Sequence, residues 1–254
     1  MRAFLTAVQF LTRVPVPGGD RPATPDVLTR SARYFPLVGL LIGLTTGAVL
    51  LGAARLWPPL VAALLALIVE ARLTGGFHED AVADTFDAFG GGWTTDDVLR
   101  ILKDSRLGAY GAIALILGIA LRAALFVALL ERADPWTTLA AVAASAAYGR
   151  WGILILMVRL PPPDGRISLA RDIGQQLGVG SVLIGLVGAL PALAALAWLR
   201  PLHALMAVAL CALLWLWSLG YFRRRIGGVT GDGLGAVCYG GQLAVLLAAS
   251  AQLG

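Results

Sequence analysis

Long apolar runs, separated by short charged segments, dominate the pattern along this chain. A helix needs about 20 apolar residues to cross a hydrocarbon core of about 30 Å, and most of these runs come close to that length. The predicted membrane-crossing segments are residues 37–54, 58–73, 109–130, 136–158, 178–198, 202–222 and 234–253. The second segment is the shortest. The pattern predicts an all-α, polytopic integral membrane helix bundle with about seven transmembrane helices and short interfacial helices.

Composition supports a membrane protein with little soluble mass. Hydrophobic residues make up 58% of the chain and charged residues 14%, with a mean hydropathy of +0.80. A soluble domain carries about 25% charged residues. Residues 3–11 are apolar but too short to cross a membrane, and no cleavage site follows, so we expect an interfacial helix there. Seven crossings use most of the chain, and residues 1–254 are therefore predicted to form one integral membrane domain.

Basic residues lie mostly on one side of the predicted crossings. Of 20 Lys and Arg residues, 15 precede the first crossing or lie in the alternate connections that follow crossings two, four and six. The other connections hold only Arg55, Arg132 and Arg200. By the positive-inside rule the N-terminus and the charged connections are cytoplasmic. The sequence pI of about 9.8 reflects this arginine excess. No basic stretch is interleaved with aromatic residues, so no nucleic-acid partner is expected.

Three carboxylates follow the second crossing at helical spacing. Asp80, Asp84 and Asp87 fall on one stripe if this segment is a helix, where they repel one another unless a cation lies between them. Oxygen ligands favour Mg²⁺ or Mn²⁺ over a soft metal. Hard cations commonly hold phosphates, so the stripe indicates phosphoryl chemistry at a membrane surface. The alternative is an acidic helix that is simply solvated.

A basic segment lies between the stripe and the third crossing. Thr94 or Thr95 is predicted to cap a short helix that leads into Lys103-Asp104-Ser105-Arg106. Lys and Arg three residues apart can neutralise phosphate oxygens, with Arg acting as a bidentate fork. Basic residues at a cytoplasmic helix end also satisfy topology without any ligand, and spacing alone leaves both interpretations open.

A glycine-rich turn opens the last crossing. Residues 227–236 include Thr230 and Asp232, and such a turn directs backbone N–H groups at an anion, although glycine also serves tight helix packing. Arg150 lies within a predicted crossing, and we interpret it as a candidate functional residue because a charge in lipid is costly. Arg122 has fewer polar neighbours, and we expect a structural or snorkelling role for it.

These motifs together resemble the cobalamin synthase family, whose members are adenosylcobinamide-GDP ribazoletransferases. The resemblance runs in order from residue 4 to beyond residue 236, and Ala81 stands where a glycine is usual. It is carried by Thr12-Arg13-Val14-Pro15-Val16-Pro17, Phe35-Pro36-Leu37-Val38-Gly39, the acidic stripe from Gly75 to Gly92, residues 103–111, Arg150 and residues 228–236.

The resemblance implies a reaction and a place in the cell. α-Ribazole, or its 5′-phosphate, attacks the activated phosphate of adenosylcobinamide-GDP, and GMP leaves. The protein is then a multi-pass enzyme of the bacterial inner membrane, residues 1–254 being one catalytic domain with a cytoplasmic active site. Its partners are the two substrates and the lipid bilayer, and the oligomeric state is left open.

The resemblance also implies roles for particular residues, with Mg²⁺ as the cofactor. Three groups follow: metal ligands Asp80, Asp84 and Asp87; catalytic residues His78, Glu79 and Asp232, which include the proton acceptor; and substrate-binding residues Lys103, Asp104, Ser105, Arg106, Arg150 and Thr230.

Two other classes share part of this pattern. A CDP-alcohol phosphotransferase also uses an Asp stripe on membrane helices, but its first Asp is followed by Gly and then by Ala-Arg, whereas Ala81 follows Asp80 here and no such Arg appears. A cation or solute transporter would place its carboxylates near the bilayer midplane. Here the stripe lies in a connection between crossings.

Overall fold

The computed structural model describes residues 1–19, 23–163 and 177–253, and these contain helices and no strands. Arg21, Arg166 and Arg171, which are among the 15 basic residues counted in the topology prediction, lie outside the described residues. The helices are α1 (Arg2–Leu11), α2 (Pro25–Ala32), α3 (Phe35–Ala53), α4 (Pro59–Thr74), α5 (Phe77–Gly91), α6 (Thr95–Ile101), α7 (Ala109–Arg132), α8 (Pro135–Arg159), α9 (Val179–Leu199), α10 (Pro201–Ile226) and α11 (Gly231–Ala249). The predicted all-α bundle is confirmed.

Within the described residues, six helices are long and apolar enough to cross a membrane, so the chain is a multi-pass membrane protein. They are α3, α7, α8, α9, α10 and α11. The predicted second crossing corresponds to α4, which has only 16 residues and passes the same test only together with α5. The two helices meet at an 89° bend. Helix α5 therefore turns away from the direction of α4 and lies across the end of the bundle.

Two glycines form this bend. Gly75 ends α4 with φ +77°, and Gly76 precedes α5 with φ +69°. Both angles lie in the left-handed region, which glycine adopts without the steric penalty of a Cβ. The Gly75-Gly76 pair thus sets the direction in which the acidic stripe leaves the bundle.

Helix α8 is the centre of the bundle because small residues let its neighbours approach closely. Residues 140–147 are mostly alanine and almost fully buried. A Cβ added at Gly43 of α3 would stand 2.7 Å from Cα of Ala143. Small residues at a helix crossing favour association in lipid through close van der Waals packing. Helix α8 packs mainly against α3, α9 and α11, and α11 in turn packs against α5.

A buried ion pair joins α4, α7 and α11. Nη2 of Arg122 donates to both carboxylate oxygens of Glu70 (2.7 and 2.8 Å) and to Oε1 of Gln242 (2.9 Å). Thr46 of α3 also donates to Glu70, at 2.9 Å. A charged group in lipid faces the bundle interior and pairs there. Arg122 therefore has the structural role expected of it, and it is enclosed rather than snorkelling.

The charged motifs meet at one end of the bundle, which we call the charged end. Three contacts define it: Arg13 N donates to Leu73 O (2.7 Å), Arg225 Nη2 to Gly92 O (2.7 Å), and Val229 N to Pro161 O (2.9 Å). They bring the segment after α1, the loop after α5 and the glycine-rich turn to the end of the bundle where α4, α8 and α10 terminate. The grouping of these motifs on one face is as predicted.

Candidate active site

Helix α5 is fixed between α7 and α11 at the charged end. Its Ala81 methyl lies against Gly235 of α11 so closely that a Cβ at Gly235 would overlap it. The alanine at position 81 is accommodated because the facing residue has no side chain. This crossing holds the acidic face of α5 beside the first turn of α11, where Asp232 lies.

Asp87 connects α5 to the start of α7. Its carboxylate oxygens accept hydrogen bonds from the backbone N–H groups of Gly108 (2.7 Å) and Gly111 (2.8 Å). A carboxylate is favourable at a helix N-terminus, where backbone donors lack helical partners. A Cβ at either glycine would collide with Asp87. The structure thus gives this predicted metal ligand a capping role, with both oxygens already engaged.

A cleft of about 670 Å³ opens beside the acidic face of α5. Ligand pockets typically measure about 300–1,000 Å³. Four predicted site residues line it, namely Glu79, Asp80, Asp84 and Ser105. The other lining residues come from α1 and its following loop, the α4–α5 bend, α5 and the start of α7: Gln9, Phe10, Thr12, Arg13, Thr74, Gly75, Gly76, Phe77, Ala83, Leu107 and Leu115.

The carboxylates of the cleft stand close enough to perturb one another. Partial burial, followed by repulsion from Asp80, Asp232 and Asp87, raises the pKa of Asp84 to about 6. Placing a charge in a less polar environment beside like charges disfavours ionisation. A bound cation would reverse this effect, so the electrostatics of the cleft suit a positively charged ligand.

The oxygen donors of the cleft fit a Mg²⁺ ion that keeps several waters better than a Mg²⁺ ion coordinated by protein alone. Among the described residues, no group of three or more His, Cys, Asp or Glu side chains is arranged to hold a metal ion. Mg²⁺ usually keeps several waters and binds through one or two carboxylates plus substrate phosphates. Asp80 and Asp84, both on the cleft wall, provide such a pair, with Asp232 nearby.

The two adjacent catalytic candidates have different access to the cleft. His78 is 2% exposed and does not line it. Its Nε2 has no hydrogen-bond partner, and burial, followed by repulsion from Arg150 and Arg122, holds the pKa of His78 well below its usual value. Glu79 does line the cleft, and its Oε1 lies 3.6 Å from Nη1 of Arg122. Of these two residues, only Glu79 is accessible from the cleft.

The predicted basic segment reaches the cleft only through Ser105. Thr94 caps α6 in a capping box with Asp97, as one of the two predicted caps. Beyond α6, Arg106 holds Asp104 in a bidentate pair at 2.6–3.1 Å. Hydrogen bonds from Arg106 lower the pKa of Asp104 to about 2. Arg106 is exposed and engaged with Asp104, and neither residue lines the cleft.

Comparison with known proteins agrees with this arrangement. A profile of the cobalamin-5-phosphate synthase family matches residues 3–250. The chain belongs to this family. It is 40% identical over 245 residues to a protein of Shewanella baltica (strain OS155 / ATCC BAA-1091), and 41% identical over 244 residues to one of Shewanella sp. (strain W3-18-1). Each alignment covers 93% of this chain and 91% of the relative, and both relatives are named adenosylcobinamide-GDP ribazoletransferase. No solved structure matches the chain.

In this member of the cobalamin-5-phosphate synthase family, Arg150 is enclosed in the core instead of facing a water-filled cavity. It has no exposed surface, and a Cβ at Gly39 of α3 would stand 2.7 Å from its Cδ. Its Nη1 donates to Ala146 O at 2.8 Å, whereas Nε and Nη2 have no partner. Arg150, for which the resemblance implies substrate binding, therefore does not line the cleft, because α3 packs closely against its side chain.

The glycine-rich turn of this synthase family member has two structural roles, namely capping of α11 and close backbone packing. Thr230 caps α11, since its Oγ1 accepts from Gly233 N at 3.2 Å. Gly228 packs against the backbone of residues 161–163, where a Cβ would collide with Pro161 O. Thr230 and Asp232 do not line the cleft, although Asp232 is near enough to raise the pKa of Asp84.

Sequence reasoning missed one charged residue of the cleft. Arg13 lies on its wall beside the Gly75-Gly76 bend. The available signal was its place in the Thr12-Arg13-Val14-Pro15-Val16-Pro17 motif, which carried the family resemblance but received no role. Arg13 lies more than 60 residues from the acidic stripe in the sequence, so the sequence does not show that both line the same cleft.

Proposed function

We propose that this chain is an adenosylcobinamide-GDP ribazoletransferase of the bacterial inner membrane. The observation that carries the proposal is the pair of cleft carboxylates, Asp80 and Asp84, at the charged end of a chain that matches relatives of that name along nearly its whole length. The cleft lies at the end of the bundle and not midway along the crossings, which suits transfer chemistry better than transport.

The reaction exchanges one P–O bond for another. The ribose 3′-hydroxyl oxygen of α-ribazole, or of its 5′-phosphate, bonds to the phosphorus attached to cobinamide, and the bond from that phosphorus to GMP breaks. GMP departs with the bridging oxygen, and the hydroxyl proton passes to a base. Catalysis of phosphoryl transfer depends mainly on positioning and on stabilisation of charge.

Asp80 and Asp84 are the residues that would hold Mg²⁺, with Asp232 as a nearby third carboxylate. When bound, the cation would supply positive charge to the diphosphate and to the leaving phosphate. The mutual repulsion that raises the pKa of Asp84 supports this assignment, since it leaves the cleft with excess negative charge. Asp87 is not needed as a ligand because its oxygens cap α7.

Glu79 is the proposed acceptor of the hydroxyl proton. It lines the cleft, whereas His78 does not, and a general base must come within hydrogen-bond reach of the proton it removes. The guanidinium of Arg122 lies 3.6 Å from Oε1 of Glu79 and so helps to hold the Glu79 side chain in place. The buried pair of Arg122 and Glu70 thus supports the residue that accepts the proton.

Release of GMP tests this proposal. Purified protein in lipid nanodiscs, given adenosylcobinamide-GDP, α-ribazole and Mg²⁺, should release GMP, and Asp84→Asn should reduce the rate to background. Asp96→Asn is the matched control, because Asp96 is an exposed acidic residue on α6 outside the cleft. Equal rates in the Asp84 variant and the wild type would contradict the assignment of Asp84.

A further inference from the structure

Arg13 is the basic side chain among the described residues that line the cleft. The other charged lining residues, Glu79, Asp80 and Asp84, are all acidic. A substrate that carries phosphates meets three carboxylates here, and repulsion opposes its binding unless cations balance them. A metal ion at Asp80 and Asp84 would supply part of that charge, and Arg13 supplies charge from the chain itself.

The backbone holds Arg13 at the α4–α5 bend. Arg13 N donates to Leu73 O at 2.7 Å, and the preceding turn is fixed by Thr12, whose Oγ1 donates to Val8 O (2.7 Å) and accepts from Val14 N (3.2 Å). This part of the loop after α1 is therefore tied both to α1 and to the end of α4. These hydrogen bonds fix the backbone of Arg13 beside the bend without any charged partner.

Gly75 provides the space that the guanidinium occupies. A Cβ at Gly75 would overlap Nε of Arg13 and stand 3.0 Å from its Cζ and Nη2. Its neighbour Gly76 has the same left-handed backbone, yet a Cβ there would meet nothing within 4 Å. The absence of a side chain at position 75 therefore serves Arg13 as well as the bend.

The guanidinium is accessible and has no carboxylate partner. Ion pairs among the described residues involve Arg30, Arg100, Arg106 and Arg122, and Arg13 forms none of them. Arg13 is exposed, in contrast to the enclosed Arg150. A guanidinium presents five donors in a planar fork that matches phosphate oxygens. Its position, access and free donors are those of an anion-binding group.

We propose that Arg13, seated over Gly75, binds a phosphate group of the substrate in the cleft that Asp80 and Asp84 line. This inference rests on the proposed function. The phosphate comes either from the diphosphate of adenosylcobinamide-GDP or from the 5′-phosphate of α-ribazole 5′-phosphate. Arg13 acts by binding and orienting this group, and it complements the carboxylate pair.

Substitution of Arg13 tests the inference through binding and kinetics. A hydrogen bond to a charged group contributes enough that Arg13→Ala should raise the KM for the phosphate-bearing substrate about 10- to 100-fold, with a smaller change in kcat. Arg13→Lys keeps the charge without the fork and should fall between Arg13→Ala and the wild type. The dissociation constant for adenosylcobinamide-GDP, measured by equilibrium dialysis from corrinoid absorbance, gives a readout independent of turnover.

Two acceptors identify the phosphate. If Arg13 binds the diphosphate, Arg13→Ala weakens adenosylcobinamide-GDP binding and raises its KM with either acceptor. If Arg13 binds the 5′-phosphate, the variant raises the KM of α-ribazole 5′-phosphate and leaves that of unphosphorylated α-ribazole unchanged. If the wild type releases GMP and Arg13→Ala has the wild-type KM and affinity for all three substrates, the inference is overturned. A wild type that releases no GMP would instead overturn the proposed function.

The two glycines supply a second test that keeps Arg13 in place in the sequence. Gly75→Ala should weaken binding as Arg13→Ala does, because its methyl displaces the guanidinium. Gly76→Ala introduces similar left-handed strain without that displacement, and it should weaken binding less. In a double-mutant cycle, Gly75→Ala should add little to Arg13→Ala. Full additivity, or equal losses in the two glycine variants, would contradict a role of Gly75 in seating Arg13.

Discussion

Substitution of Glu70 by alanine should lower the free energy of unfolding of the bundle more than a surface substitution does, because it leaves Arg122 without its main partner. The side chains of Arg122 and Glu70 are 2% and 4% exposed. Glu70→Ala removes two hydrogen bonds to a guanidinium, each of which contributes about 1.5–3 kcal/mol. Breaking a buried pair on one side typically costs about 3–5 kcal/mol. Interhelical hydrogen bonds in lipid average only about 0.6 kcal/mol. We therefore expect Glu70→Ala to lower the free energy of unfolding by about 3 kcal/mol, the lower end of that range.

The free energy of unfolding can be measured by denaturant titration in one detergent, followed by tryptophan fluorescence. Asp26→Ala is the control, because the exposed Asp26–Arg30 pair on α2 should contribute less than about 0.5 kcal/mol. The double variant Glu70→Leu/Arg122→Met should recover part of the loss, since the buried unpaired guanidinium is gone, while Glu79 and Gln242 each lose Arg122 as a partner. If Glu70→Ala were no more destabilising than Asp26→Ala, the buried pair would not have the role assigned to it.

Three further predictions follow from the charged end. Asp87→Ala should lower the free energy of unfolding by about 1–3 kcal/mol, because two backbone donors at the start of α7 lose their acceptor. Turnover per folded molecule should persist, and a complete loss of turnover would restore Asp87 as a metal ligand. With metal chelated, the wild type should lose stability relative to Asp84→Asn as pH rises from about 4 to 6, because the folded protein binds the Asp84 proton more tightly than the unfolded chain does; parallel pH profiles for the two proteins would refute this. An impermeant thiol reagent added outside intact cells should label Leu56→Cys and not Trp93→Cys, because residues 56 and 93 are exposed on opposite sides of the predicted topology; the reverse pattern would invert the orientation.

The crossings were predictable because lipid leaves a spanning chain few alternatives to a helix. The predicted segments 109–130 and 136–158 differ from α7 and α8 by no more than two residues at either end. The second crossing was predicted to end at residue 73, next to the end of α4, but the 89° angle at which α5 leaves it was not predicted. Periodicity shows where a helix lies and does not show the angle at which the next one leaves it.

The site was predictable only as far as it depends on one helix. Spacing placed Asp80, Asp84 and Asp87 on one stripe, and Asp80 and Asp84 do line the cleft. The engagement of Asp87 depends on N–H groups that lie more than 20 residues later, and helical periodicity carries no information about them. Arg13 was missed for the same reason, because its cleft forms only when the loop after α1 packs against the end of α4.

Product stoichiometry tests the central claim most directly. Wild-type protein in nanodiscs should convert adenosylcobinamide-GDP and α-ribazole 5′-phosphate into one phosphodiester-linked corrinoid product per GMP released, as quantified by liquid chromatography with mass spectrometry. Asp80→Asn and Asp84→Asn should form neither product. GMP release without the corrinoid product, or undiminished product from both carboxylate variants, would contradict a transferase whose active site is this cleft.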